Sequence, residues 1–151
     1  MVQYWVDQIA ILVNGTITAT LQSPPLVWIQ AVVTGSIYLA AISSETQPLN
    51  FQQLAASHAA HNSPARAFHG TRNFNPTDAV LKAILGPIGM AENSTAYASA
   101  QQIGKTAAAA VAITRADDNF NDFVDYTFGP NIPAIYQVTP RGASVPDTPQ
   151  A

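Results

Sequence analysis

The chain has 151 residues, 48 % of them apolar and 10 % charged, with 6 Lys plus Arg against 9 Asp plus Glu and a formal net charge of −3. That length can bury the core of one domain, the apolar content excludes a highly charged disordered chain, and the acidic balance excludes nucleic-acid binding driven by bulk charge. The absence of cysteine excludes disulfide scaffolds, thiolate zinc sites and cysteine nucleophiles.

The first segment supports two local readings. Asn14-Gly15 sits between Ile9–Val13 and Thr16–Leu21, and Asn-Gly between β-branched runs is a strong hairpin signal. Trp5, Ile9, Leu12, Val13, Thr16, Ile17 and Leu21 also form one stripe of a helix.

No charged residue stands between Asp7 and Glu45. The most apolar part, Leu26–Ile42, approaches the shortest length that spans a bilayer. It holds Gln30, Thr34, Gly35 and Ser36 and has no Lys or Arg at either end, so nothing sets a membrane orientation. No basic region precedes it as in a signal peptide. The segment therefore reads as a core helix rather than a membrane span. Ser23 is placed to cap it and Pro24-Pro25 to open it, because a first-turn proline loses no hydrogen bond. Its apolar residues cover every face, as in a helix at the centre of a bundle.

A second helix is predicted from about Thr77 to Leu85, with Asn75 as cap, Pro76 in the first turn and Asp78 near the positive helix end. Val80, Leu81, Ile84 and Leu85 form its stripe, and Gly86-Pro87 is its expected stop. The clearest helix lies between Ser94 and Arg115. Ala96, Ala100, Ile103, Ala107, Ala110, Val111 and Thr114 mark one face. Gly104 and Ala108 are small residues one turn apart, which lets a neighbouring helix approach closely.

After this helix, Asp117, Asp118, Asn119, Asn121 and Asp122 read as turn and loop. Pro130, Pro133, Pro140, Pro146 and Pro149 predict an extended surface segment. The expected architecture is an all-α helical bundle over residues 1–125 with an extended Pro-rich C-terminal arm over 126–151.

The order of these pieces resembles the N-terminal half of the vanadium-dependent haloperoxidases, relatives of the type 2 phosphatidic acid phosphatases. The matching pieces begin with Trp5 on a first helix and Ser23-Pro24-Pro25 leading into Leu26–Ser43. They continue with Gly104-Lys105-Thr106-Ala107 through Thr114-Arg115-Ala116-Asp117-Asp118, then Tyr126-Thr127-Phe128-Gly129-Pro130 and Tyr136-Gln137-Val138-Thr139-Pro140. The resemblance implies that the first segment is helical. It also implies a vanadate or phosphate site in a C-terminal half, built from Lys, Arg-Pro, Pro-Ser-Gly-His and Ser-Arg segments. This sequence contains no Ser-Gly-His, Ser-Arg or Arg-Pro, and it stops where that half is expected to begin. No catalytic or cofactor-binding residue carries over.

Other chemistry finds little support. His58, His61 and His69 share a stripe on an unbroken helix, but Pro64 disfavours helix at Ser63 and no carboxylate lies nearby in sequence as a further ligand. Asp117, Asn119 and Asn121 imitate the start of an EF-hand loop, which Asp122 and Phe128 then break where Gly and Glu are required. A looser Ca²⁺ group of Asp117, Asp118, Asp122 and Asp125 competes with a solvated acidic turn. No metal and no cofactor is assigned. The aromatics Trp5, Trp28, Tyr38 and Phe68 suit a core better than a ligand cage. Asn14 and Asn93 head N-x-[ST] sequons, which point to a secreted or extracellular chain; such triplets also arise by chance, which leaves a cytoplasmic chain open.

Two functions remain open. One is a non-catalytic structural protein that assembles with copies of itself into homo-oligomers or filaments. Its contacts are expected at Trp28, Val32 and Tyr38 of the bundle and at Tyr126, Phe128 and Tyr136 of the arm, because a half-scaffold leaves apolar surface uncovered. The other is the N-terminal part of a haloperoxidase-like or acid phosphatase-like enzyme.

Overall fold

A computed structural model describes residues 1–20, 26–67, 76–118 and 130. Among the described residues the regular structure is entirely helical: α1 (Val2–Thr20), α2 (Leu26–Ser43), α3 (Leu49–Ala67), α4 (Pro76–Ile88) and α5 (Thr95–Thr114). The all-α expectation therefore holds for them. The start of α2 at Ser23-Pro24-Pro25, the Asn75 cap and, apart from exposed Pro130, the arm lie outside the described residues.

In α1 the helical stripe prevails over Asn14-Gly15, and the backbone stays helical to Thr20. Trp5 and Ile9, one turn apart, are fully buried in a cluster with Ile29, Val33 and Ile37 of α2. Burying such side chains is worth about 1.5–3 kcal/mol each, more than the ~1 kcal/mol that a helical Gly costs relative to Ala.

Helices α2, α3 and α5 pack against one another, α4 leans on α3, and α1 covers α2. The turn from α2 to α3 is closed by side chains. Ser44 Oγ donates to the Ala40 carbonyl at 2.7 Å, and Gln52 Nε2 donates to the carbonyls of Glu45 and Gln47 at 3.2 and 2.7 Å.

Three sequence expectations are corrected. First, α2 is not enclosed on every side. Ile29, Val33 and Ile37 point inward while Tyr38 and Ile42 face solvent. The central helix is α3, where Leu54 through Ala60 are all buried. Its inward face is mostly Ala and Ser, so it reads as polar in sequence, yet small side chains are what allow two neighbours to close on it.

Second, α3 runs unbroken through Pro64. The turn before it is held by side-chain bonds from Ser63 Oγ to the Ala59 carbonyl and from Asn62 Nδ2 to the His58 carbonyl, both 2.7 Å. Ser63 and Pro64 are themselves fully buried, so packing offsets the hydrogen bond that proline removes.

Third, α4 passes through Gly86-Pro87 and ends at Ile88. Gly86 has no Cβ to clash with the proline ring. Ala83, whose carbonyl loses its donor, lies like Pro87 on the exposed side, where water can serve it. The left-handed residue that ends the helix is Gly89, with φ 69°. Its N–H reaches the carbonyls of Gly86 and Leu85 at 3.1 and 3.4 Å.

Helix α5 has the predicted ends. Ser94, in extended conformation, accepts from the Tyr97 N–H at 3.1 Å, and Arg115 closes the C-terminus. Its buried residues are Ala100, Gly104, Ala107 and Ala108, whereas Ala96 and Thr114 at the edges of the predicted stripe are exposed.

Candidate functional site

Of the described glycines, the one with least room around it lies in the seam between α3 and α5. A Cβ added to Gly104 would lie 2.5 Å from the Ala55 carbonyl oxygen, 2.7 Å from His58 Cβ and 2.8 Å from the Ala59 nitrogen. The backbones are thus in direct contact there, and the close approach that Gly104 and Ala108 permit is realised.

His58 is set into this seam with 2 % of its surface exposed, and its Nε2 has no hydrogen-bond partner. Its ring meets the edge of Tyr97 of α5 at a centroid distance of 5.6 Å. Burial, and then the positive charges of His61 and Lys105, push the His58 pKa down to about 4. Burial and the Glu92 carboxylate raise the pKa of the Tyr97 hydroxyl.

One turn on, His61 Nε2 and Asp78 Oδ1 meet at 2.6 Å and join α3 to α4. A His–carboxylate pair can orient an imidazole for proton transfer. Here the other nitrogen, Nδ1, is buried and unpartnered, so it offers no face to a substrate. The pair acts as a clamp between helices. His69 lies outside the described residues, and no group of three or more metal-ligating side chains forms among those described.

The acidic turn after α5 also has an internal role. Asp118 Oδ2 accepts from Trp28 Nε1 of α2 at 3.0 Å and from Arg115 Nη1 at 3.4 Å. This ties the start of α2 to the end of α5. Asp122 and Asp125 lie outside the described residues.

The residues expected to carry self-association separate by position. Val32 is 3 % exposed and belongs to the protomer's own core. Trp28 is half-buried and packs beside Trp5 and Ile29. Tyr38 is 67 % exposed, and Ile42, one turn along the same face of α2, is 46 % exposed. Sequence reasoning missed Ile42 as a surface residue because α2 has no polar face from which to read its outward side. Tyr126, Phe128 and Tyr136 lie outside the described residues. Of the sequon residues, Asn93 is exposed in the turn before α5, while Asn14 lies on the helical backbone of α1.

No helix among the described residues is long and apolar enough to cross a membrane. No family profile, curated protein or solved structure matches the chain.

Proposed function

We propose that the protein is a non-catalytic structural module that assembles with copies of itself through the outer face of α2. The observation that carries this reading is the pair Tyr38 and Ile42, large apolar side chains left open to solvent on a helix without a single charge. Contiguous exposed apolar surface drives association, and Tyr adds contact area at low entropic cost. A second copy presenting the same face provides a self-complementary partner, as a two-fold contact requires. The Pro-rich arm is assigned to reach onto the neighbouring copy. In this reading the helix order reflects a haloperoxidase-like half-scaffold, supported by Trp5 on α1, Gly104 in α5 and the Arg115-Ala116-Asp117-Asp118 turn. Secretion of the chain, suggested by exposed Asn93, belongs to the same proposal.

Sedimentation velocity of the full chain at micromolar concentration tests it. The wild type is expected to sediment as an oligomer at low and at high salt, because salt screens charge pairs but spares apolar burial. The exposed-face variant Tyr38→Ser with Ile42→Ser is expected to run as a monomer with an unchanged helical spectrum. A wild-type monomer in both salts overturns the proposal. Dissociation on adding salt overturns its apolar basis.

A further inference from the structure

We propose that His58 is a pH-sensitive latch whose protonation opens the seam between α3 and α5. Three observations converge. The ring is almost wholly enclosed, with Nε2 lacking any partner. The Gly104 backbone lies against the same turn of α3 so closely that it leaves no room for a Cβ, with His58 Cβ itself 2.7 Å from that position. The charged neighbours on the packed elements do not compensate a charge on the ring.

Among the described residues those neighbours are few. On α3, His61 is already engaged with Asp78 of α4 at 2.6 Å. On α5, Lys105 is a cation that opposes a second positive charge, and Tyr97 presents a ring edge. Glu92, in the turn before α5, acts on the Tyr97 hydroxyl. Helix α2 contributes no charge, and its tyrosine, Tyr38, faces solvent. Among the described residues, a proton on His58 is therefore a buried charge without a counterion, and the least disruptive relief is to part the two helices.

The direction follows from linkage. In the closed seam the His58 pKa is about 4, against 6.5 for the open chain. The closed form thus binds the proton less well. The latch holds fully above the open-chain value and weakens as pH falls from 6.5 to 4. Over that fall the ratio of closed to open seam drops on the order of a hundredfold. The latch operates on the protomer, so it stands whether or not the chain self-associates; sedimentation at each pH separates the two.

The test uses the full chain between pH 7.5 and 4. The His58 imidazole proton is followed by NMR, and amide exchange of α5 is followed after correction for the intrinsic pH dependence of exchange. The expected result is a His58 titration well below the ordinary histidine range, with α5 protection falling on the order of a hundredfold. In His58→Leu, or in the polar and non-ionisable His58→Gln, α5 protection is expected to stay flat. The wild-type NMR titration needs neither variant to fold. A His58 titration near 6.5, α5 protection that ignores pH in the wild type, or an acid response that persists in a folded variant overturns the proposal.

Discussion

Replacing Gly104 by Ala isolates the contact on which the bundle is built. In an open helix the change stabilises, because Ala is favoured over Gly by about 1 kcal/mol. Here the new methyl would stand 2.5 Å from the Ala55 oxygen and 2.8 Å from the Ala59 nitrogen, both backbone atoms that no rotamer change can move. The helices must separate by about an ångström, a gap that forfeits a quarter to a half of each dispersion contact across the seam. Overpacking of this kind costs about 1–3 kcal/mol and occasionally more. The small-residue contacts at Ala100, Ala107 and Ala108 loosen with it. The expected net loss is about 2 kcal/mol, or a fall of roughly 4–8 °C in Tm for a domain of this size. Gly35→Ala is the matched control, since its added Cβ meets Val111 at 3.7 Å, an ordinary contact; it is expected to gain about 0.5–1 kcal/mol. Urea and thermal unfolding followed by helical ellipticity report both. A Gly104→Ala protein at least as stable as Gly35→Ala would refute the backbone contact and the central position of α3.

Other expected outcomes follow from single contacts. Ser94→Ala removes the cap of α5, whose hydroxyl accepts from the Tyr97 N–H, and is expected to lower stability by about 1 kcal/mol in urea unfolding. Trp28→Phe keeps an aromatic ring in place but loses the bond to Asp118. It is expected to cost about 0.5–1.5 kcal/mol, with amide exchange faster at the C-terminal end of α5.

The sequence by itself determined that α5 is a helix, where it begins and ends, and that Gly104 opens one of its faces. A Ser cap, a long Ala-rich run and small residues one turn apart act within a few residues, so they are legible locally. It also marked α2 and α4 as helices, because apolar spacing and a first-turn proline are properties of the segment. The helicity of α1 was undecided by local signals; burial of Trp5 and Ile9 against α2 settled it.

Only the tertiary structure decided which helix lies at the centre and what the seam contains. Beyond Phe51 and Leu54, the inner face of α3 is built from Ala and Ser with one His, a pattern of low hydropathy that does not mark a core helix. Its burial depends on two other helices having small residues at matching heights, a condition no local window can register. The same holds for Pro64 and for Pro87, which stop a helix by local rules but continue it here. At the first, packing and side-chain bonds replace the lost hydrogen bond; at the second, a Cβ-free neighbour and solvent do. The unpaired Nε2 of His58 and the outward aspect of Tyr38 and Ile42 arise likewise from the packing of several helices. An imidazole or an apolar side chain has no intrinsic inside or outside until neighbouring elements close around it.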